Sequence, residues 1–217
     1  MRRTAVVALA LLLPAAVAAG CGSHSYVPDI SLAQVRPVID ATAEFHGLYP
    51  APPVLSGQDR FGVEAEQVDK PDVAQLADQV EGELYSELQK TGPFMNLTRY
   101  APQPDVVLTG RIDAFYERYR QRLWTRIPGI GPVADVLDLK THASSGEADL
   151  TLFVLRPDGE VIGRYRGRSS FTETFNPTRQ VPPGSRLNRA LSHAVRQIQE
   201  QIVQDANVRK IAARQGE

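Results

Sequence analysis

The chain has 217 residues, with 24 basic and 25 acidic side chains, four histidines and a single cysteine. A net charge of −1 gives no electrostatic basis for nucleic-acid binding. One thiol rules out an intramolecular disulfide framework, so stability must come from a packed core.

Arg2 and Arg3 make a positive start, Ala5 to Val17 an apolar stretch interrupted only by Pro14, and Ala18-Ala19-Gly20 a small-residue end. Residues 1–20 therefore read as a secretory signal peptide, whose apolar stretch is too short to span a bilayer. Arg2-Arg3-Thr4-Ala5-Val6 lacks the rest of a twin-arginine pattern, which favours the general secretory route. Ala18-Ala19-Gly20-Cys21 resembles the lipobox of bacterial lipoproteins. That resemblance implies a diacylglyceryl group on the Cys21 thiol, cleavage just before it, N-acylation of the new terminus, and no other cofactor. At about 0.8 kcal/mol per buried methylene, two or three acyl chains make detachment negligible on cellular timescales. Gly22 follows the cysteine instead of aspartate, and by the same resemblance the destination is the periplasm-facing side of the outer membrane. Without Arg2 and Arg3 the processed chain carries 22 basic and 25 acidic residues.

From Cys21 to residue 58 the sequence is rich in Pro, Gly and Ser, with Pro28, Pro37, Pro50, Pro52 and Pro53 breaking any long regular element. This stretch reads as a tether that holds a folded body off the lipid, with room for a short helix over 31–45. The folded domain is expected over 59–217, opening with a strand at Arg60 to Glu66. Asp69 or Asp72 then caps a helix in which Val73, Leu76, Ala77, Val80, Leu84 and Leu88 recur at helical spacing until Gly92-Pro93. Phe94 to Tyr100 forms a short strand. Val106, Leu108, Gly110, Ile112, Ala114 and Tyr116 alternate with Val107, Thr109, Arg111, Asp113 and Phe115 in the clearest strand of the chain. Ala148, Leu150, Leu152 and Val154 form another, turned by Arg156-Pro157-Asp158-Gly159-Glu160 into a return strand with Val161, Ile162, Tyr165 and Phe171. These three make an antiparallel meander. A closing helix from Ser185, its cap, to Val208 carries an apolar stripe of Leu187, Leu191, Ala194, Val195, Ile198 and Ile202. The sum is an α+β two-layer sandwich: a mostly antiparallel sheet with two amphipathic helices on one face.

The lipobox, the early amphipathic helix, Asp105-Val106-Val107-Leu108-Thr109-Gly110-Arg111-Ile112, Ala148-Asp149-Leu150-Thr151-Leu152 with its Pro-Asp-Gly turn, and the helix through Asn188-Arg189-Ala190-Leu191-Ser192-His193-Ala194-Val195 resemble small outer-membrane lipoproteins. Among these are the YajG-like group and the auxiliary lipoproteins of ABC-type transport systems, whose domains resemble the amino-terminal domain of TolB. The resemblance spans about Phe61 to Ile211. It implies a non-catalytic envelope accessory with a protein partner in transport or assembly.

Residues 118–145 read as an inserted loop, with Arg118, Arg120, Arg122 and Arg126 around Tyr119 and the sole tryptophan, Trp124. Arginines grip phosphates in bidentate fashion and Trp suits a boundary between wet and apolar regions, so the loop is a candidate surface for lipid headgroups or a partner. Equally, its apolar residues can plug one end of the sheet. Arg164, Arg166 and Arg168 share one strand face and, with Arg118 and Arg120, form a candidate basic platform; a solvated sheet face is the favoured reading. Gly129-Ile130-Gly131-Pro132-Val133-Ala134 has the glycine spacing of a dinucleotide fingerprint, but no strand–helix–strand unit surrounds it. His24, His46, His142 and His193 lack metal-ligand spacing, and no GxSxG elbow occurs. The competing functions are a lipid or glycolipid carrier with an apolar groove and, behind it, a hydrolase assembled from distant Ser, His and acid residues.

Overall fold

The computed structural model describes residues 26–36, 38–51, 61–63, 73–122, 133, 137, 139–176 and 182–213. Six strands, β1 (Ile39–Pro50), β2 (Phe61–Val63), β3 (Phe94–Thr98), β4 (Val106–Gln121), β5 (His142–Leu155) and β6 (Val161–Phe175), form one sheet. Its helices are α1 (Val73–Thr91), α2 (Ser185–Gln204) and α3 (Ala206–Ala213). Strand order is β3-β1-β4-β5-β6, and β2 pairs with β4 at Phe115 to Glu117, beyond the point where β1 leaves that edge.

The α+β class is as expected, and the sheet is mixed. β4, β5 and β6 form the antiparallel meander, while β1 runs parallel to both β3 and β4. The β1–α1–β3 crossover makes that parallel pairing possible, because a helix carries the chain back to the starting end. The turn at Arg156 to Glu160 closes as its residues dictate. Arg156 N–H donates to Glu160 O at 2.8 Å, and the Asp158 carboxylate accepts from Glu160 N–H at 3.0 Å.

The largest departure lies ahead of residue 59. Tyr26 to Arg36 is an extended strap and Ile39–Pro50 is an inner strand, so residues 26–51 belong to the folded body and not to a tether. Pro37 bars the expected helix over 31–45. Ile39, Ala41, Ala43 and Phe45 are buried and alternate with more exposed Asp40, Thr42 and Glu44, the signature of a half-buried strand. The strap is stitched to both long helices: Ser31 N–H donates to Ser192 Oγ (3.1 Å), Leu32 N–H to Glu87 Oε1 (3.2 Å) and Val35 N–H to Thr91 O (3.2 Å).

One core joins the layers. Leu76, Ala77, Val80, Leu84 and Leu88 of α1 are buried, as are Leu187, Leu191, Val195, Ile198 and Ile202 of α2, against Leu108, Ile112, Phe115, Leu150 and Leu152. Each large side chain removed from water contributes roughly 1.5–3 kcal/mol. α2 comes very close to the sheet because Gly167 and Gly146 lie beneath it. A Cβ at Gly167 would sit 1.9 Å from Ala194 O, and one at Gly146 would sit 2.5 Å from Leu187 N. Ser185 is the first residue of α2, not its cap; Gly184, with φ 85°, holds the cap position. The single closing helix expected to Val208 breaks at Asp205. That residue is extended, accepts from Asn207 N–H at 2.7 Å, and so starts α3.

Candidate functional site

The face of the sheet opposite the helices carries most of the predicted arginines. Direct antiparallel pairing puts opposed residues on one face, and the register joins Arg168 to Asp149, Arg166 to Thr151, Arg164 to Phe153 and Arg118 to Ser145. Arg166 grips Asp149 with two hydrogen bonds of 2.8 and 2.6 Å, a fork that holds its guanidinium above the ordinary pKa range. Arg168 donates to Glu147 from Nε and Nη2 at 3.1 and 2.8 Å. Arg111 donates to Asp113 at 2.7 Å, and Thr151 donates to the second oxygen of that carboxylate at 2.6 Å. Tyr116 O–H donates to Glu147 at 2.5 Å; burial first, then this bond, raises its pKa.

Arg164, Arg166 and Arg168 therefore do not form a free basic platform with Arg118 and Arg120. Asp149 and Glu147 of β5 neutralise Arg166 and Arg168, Arg164 lies over the Phe153 ring at 5.7 Å, and Arg118 lies over the Tyr116 ring at 4.8 Å. Asp149 and Thr151 are buried beneath this lattice. Arg120 is exposed at the end of β4.

The expected loop over 118–145 is shorter than predicted. Its flanks, 118–121 and 142–145, are paired strand, and Arg122 N–H still donates to Thr141 O at 2.9 Å. Val133, Leu137 and Leu139 of the insert are exposed, and Leu137 N–H donates to Val133 O at 3.0 Å. Trp124 and Arg126, like Cys21 and the signal peptide, lie outside the described residues.

At the same end of the sheet, on the helix side, sits a buried polar cluster with no counterpart in the sequence reading. The Glu117 carboxylate accepts from Ser144 Oγ (2.6 Å) and Leu187 N–H (3.4 Å) and pairs with Arg186 at 3.6 Å. Arg186, itself buried, also approaches Glu173 at 3.4 Å and lies 4.7 Å from the Phe175 ring centroid. Tyr26 packs 6.1 Å from Phe115 and donates to Asn188 Oδ1; burial first, then Glu117 and Asp29, raises its pKa well above the ordinary value. The hidden signal for Glu117 is a β-bulge at Asp113. It shifts the inward positions from Leu108 and Ile112 to Phe115 and Glu117, where the sequence alternation placed Ala114 and Tyr116.

Between helices and sheet, the gap lined by Leu48, Leu84, Leu88, Leu150, Leu152, Val195 and Ile198 measures about 10 Å³, room for one water at most. At this place helices and sheet close on one another among the described residues. Among the described residues no group of three His, Cys, Asp or Glu is placed to hold a metal, and no helix is long and apolar enough to cross a membrane.

No family model matches the chain, and no curated protein matches it. Among solved structures it is similar to protein XCC0632 from Xanthomonas campestris, of family-model DUF330. That comparison has 11% identity and a TM-score of 0.42, over 89% of this chain and 98% of the other. It is also similar to the PelC dodecamer from Paraburkholderia phytofirmans, at 12% identity and a TM-score of 0.34, over 77% of this chain and 92% of the other.

Proposed function

We propose that this chain is a lipid-anchored protein of the outer membrane, facing the periplasm, that acts without catalysis as an accessory or scaffold in envelope transport or assembly. The observation that carries this reading is Cys21, the one thiol of the chain, placed directly after the small residues that end an apolar leader. The closed gap of about 10 Å³ at Leu48, Leu84, Leu88, Leu150, Leu152, Val195 and Ile198 favours it over a lipid carrier with its groove between helices and sheet, which needs a cavity of several hundred Å³. The outer-face carboxylates favour it over a hydrolase: Asp113, Asp149 and Glu147 are engaged by arginines. Anchoring raises the protein's effective concentration beside membrane partners, so a weak contact surface suffices.

Expression in a Gram-negative host with labelled palmitate tests the anchor. Wild type incorporates label and sediments with outer membranes, whereas Cys21→Ala does neither. A partner should co-purify from cross-linked envelopes with wild type and be lost with Cys21→Ala. Absence of label from the wild type sinks the proposal.

A further inference from the structure

Residues 26–36 form neither helix nor strand, yet they are docked on the body along one side. Tyr26, Pro28 and Ile30 are buried while Val27, Asp29 and Ser31 are exposed, the alternation of an extended segment laid on a surface. The strap crosses from the start of α2, where the Tyr26 hydroxyl bonds Asn188, past Ser192 to Glu87 and Thr91 at the end of α1. Its dock is pre-shaped: Gly184 has φ 85°, and a Cβ there would lie 2.1 Å from the Tyr26 ring.

The helix groups that hold the far half of the strap have second partners, and the sheet begins after it. Thr91 O also accepts from Gln199 Nε2 at 3.4 Å, and Glu87 also pairs with Lys90 at 3.6 Å. Ile39 N–H donates to Pro93 O at 2.6 Å, and β1 is paired with β3 from Ile39 and with β4 from Ala43. Withdrawing the strap therefore breaks no strand pairing and leaves neither Thr91 O nor Glu87 without a partner. Burial of three side chains is set against the ordering of eleven backbone residues, so the net free energy of docking is smaller than either term. Segments held in this way open locally ahead of the sheet they lie on.

We infer that residues 26–36 are a releasable latch that sets how far the folded body stands from the bilayer; the inference rests on acylation of Cys21 as proposed above. With the strap docked, five residues lead from Cys21 to Tyr26, and fully extended they span at most about 18 Å. With it released, the first residue held by the sheet is Ile39, eighteen residues from Cys21, and the reach is at most about 65 Å. A partner inside the shorter reach binds the docked form directly. A partner further out must draw the strap from its dock, and its apparent affinity is scaled down by the fraction of chains already released.

Hydrogen exchange and height above a bilayer test the latch separately from the anchor. In the wild-type chain the amides of Ser31, Leu32 and Val35 should exchange as a group, roughly tenfold or more ahead of the paired amides of β1. An oxidised Ser31→Cys/Ser192→Cys cross-link should abolish that lead, and reduction should restore it. The acylated Tyr26→Ala/Ile30→Ala chain, on a supported phosphatidylethanolamine–phosphatidylglycerol bilayer, should keep its circular dichroism. Neutron reflectometry should place its body tens of ångströms further out than that of the oxidised cross-linked chain. Strap amides that exchange only together with β1 overturn the latch, and so does a double variant that loses its fold, because a strap the body cannot stand without is not releasable. An unchanged height overturns the control of distance; all three results leave acylation standing. A wild-type chain that takes up no lipid brings down the anchor and the control of distance together, while early exchange of the strap amides in that chain still registers release.

Discussion

Replacing Tyr26 by alanine separates a tethered body from a strapped one. Were 21–58 a solvated linker, the change would fall within the roughly ±0.5 kcal/mol of ordinary surface substitutions. In the structure Tyr26 is only 5% exposed, its ring tilted 50° against that of Phe115 and its hydroxyl bonded to Asn188. Truncating a buried aromatic costs about 3–5 kcal/mol, and in a domain of this size each kcal/mol lowers Tm by about 2–4 °C. A fall of roughly 6–20 °C is expected in a thermal melt followed by circular dichroism. Tyr26→Phe, which removes only the hydroxyl, should cost about 1 kcal/mol. Gly184 supplies the control. Gly184→Ala meets the Tyr26 ring and also strains a backbone at φ 85°. In the wild type it suffers both penalties; in Tyr26→Ala the collision is gone and only the backbone cost of about 1 kcal/mol stays. The double-mutant cycle should show a coupling of about 1 kcal/mol or more, with the double variant more stable than the sum of the singles predicts. A Tyr26→Ala melt indistinguishable from wild type, or strict additivity within 0.5 kcal/mol, refutes the docked strap.

The buried pair gives a second prediction. Glu117→Gln leaves the Arg186 charge without its buried partner and should cost about 3 kcal/mol by urea denaturation, whereas Glu117→Gln with Arg186→Met should recover most of it; an unchanged midpoint in the single variant contradicts the pairing. A third concerns alkaline pH. Tyr165 has its pKa raised by burial, by its 2.8 Å bond to Asp205 and by that carboxylate's charge, and Tyr26 is raised likewise. The folded state thus holds these protons more tightly than the unfolded chain, whose tyrosines titrate near 10. Their contribution is complete below pH 10 and is lost as pH rises above it. Stability measured in urea at pH 9, 10 and 11 should fall, and Tyr165→Phe should flatten the decline; an identical slope in that variant counts against the assignment.

What the sequence revealed depended on how local the determining physics is. The hairpin of β5 and β6 was legible because period-two alternation and Pro157-Asp158-Gly159 act within a few residues. α1 was legible from its stripe of Leu76, Val80, Leu84 and Leu88. β1 was hidden because the prolines at 28, 37 and 50 to 53 suggested a tether, although Ile39, Ala41, Ala43 and Phe45 alternate clearly. The slip at Asp113 is set by pairing with β5, which no reading of β4 alone contains. For the same reason the partners of Arg166 and Arg168 were out of reach. Asp149 and Glu147 lie about twenty residues away, and only the register decides that they face those arginines. Cys21, with Trp124 and Arg126 of the candidate surface, lies outside the described residues.

Among the described residues the helices cover one face of the sheet; the other face and the edges must be kept from pairing with other chains, and long polar side chains do this. Across the bare face, Arg111, Arg166 and Arg168 are bound to carboxylates, so that face presents alternating charge instead of an apolar patch. On the β6 edge, Gln197 Oε1 accepts from Arg168 N–H at 3.0 Å and Gln201 Nε2 donates to Arg166 O at 2.9 Å. At the opposite edge, β3 is short and Gln89 Nε2 donates to Leu97 O at 3.2 Å. Side chains from α1 and α2 thus occupy positions that a foreign strand would need for pairing. Strand addition along the guarded stretch of β6 is therefore a poor route to a partner.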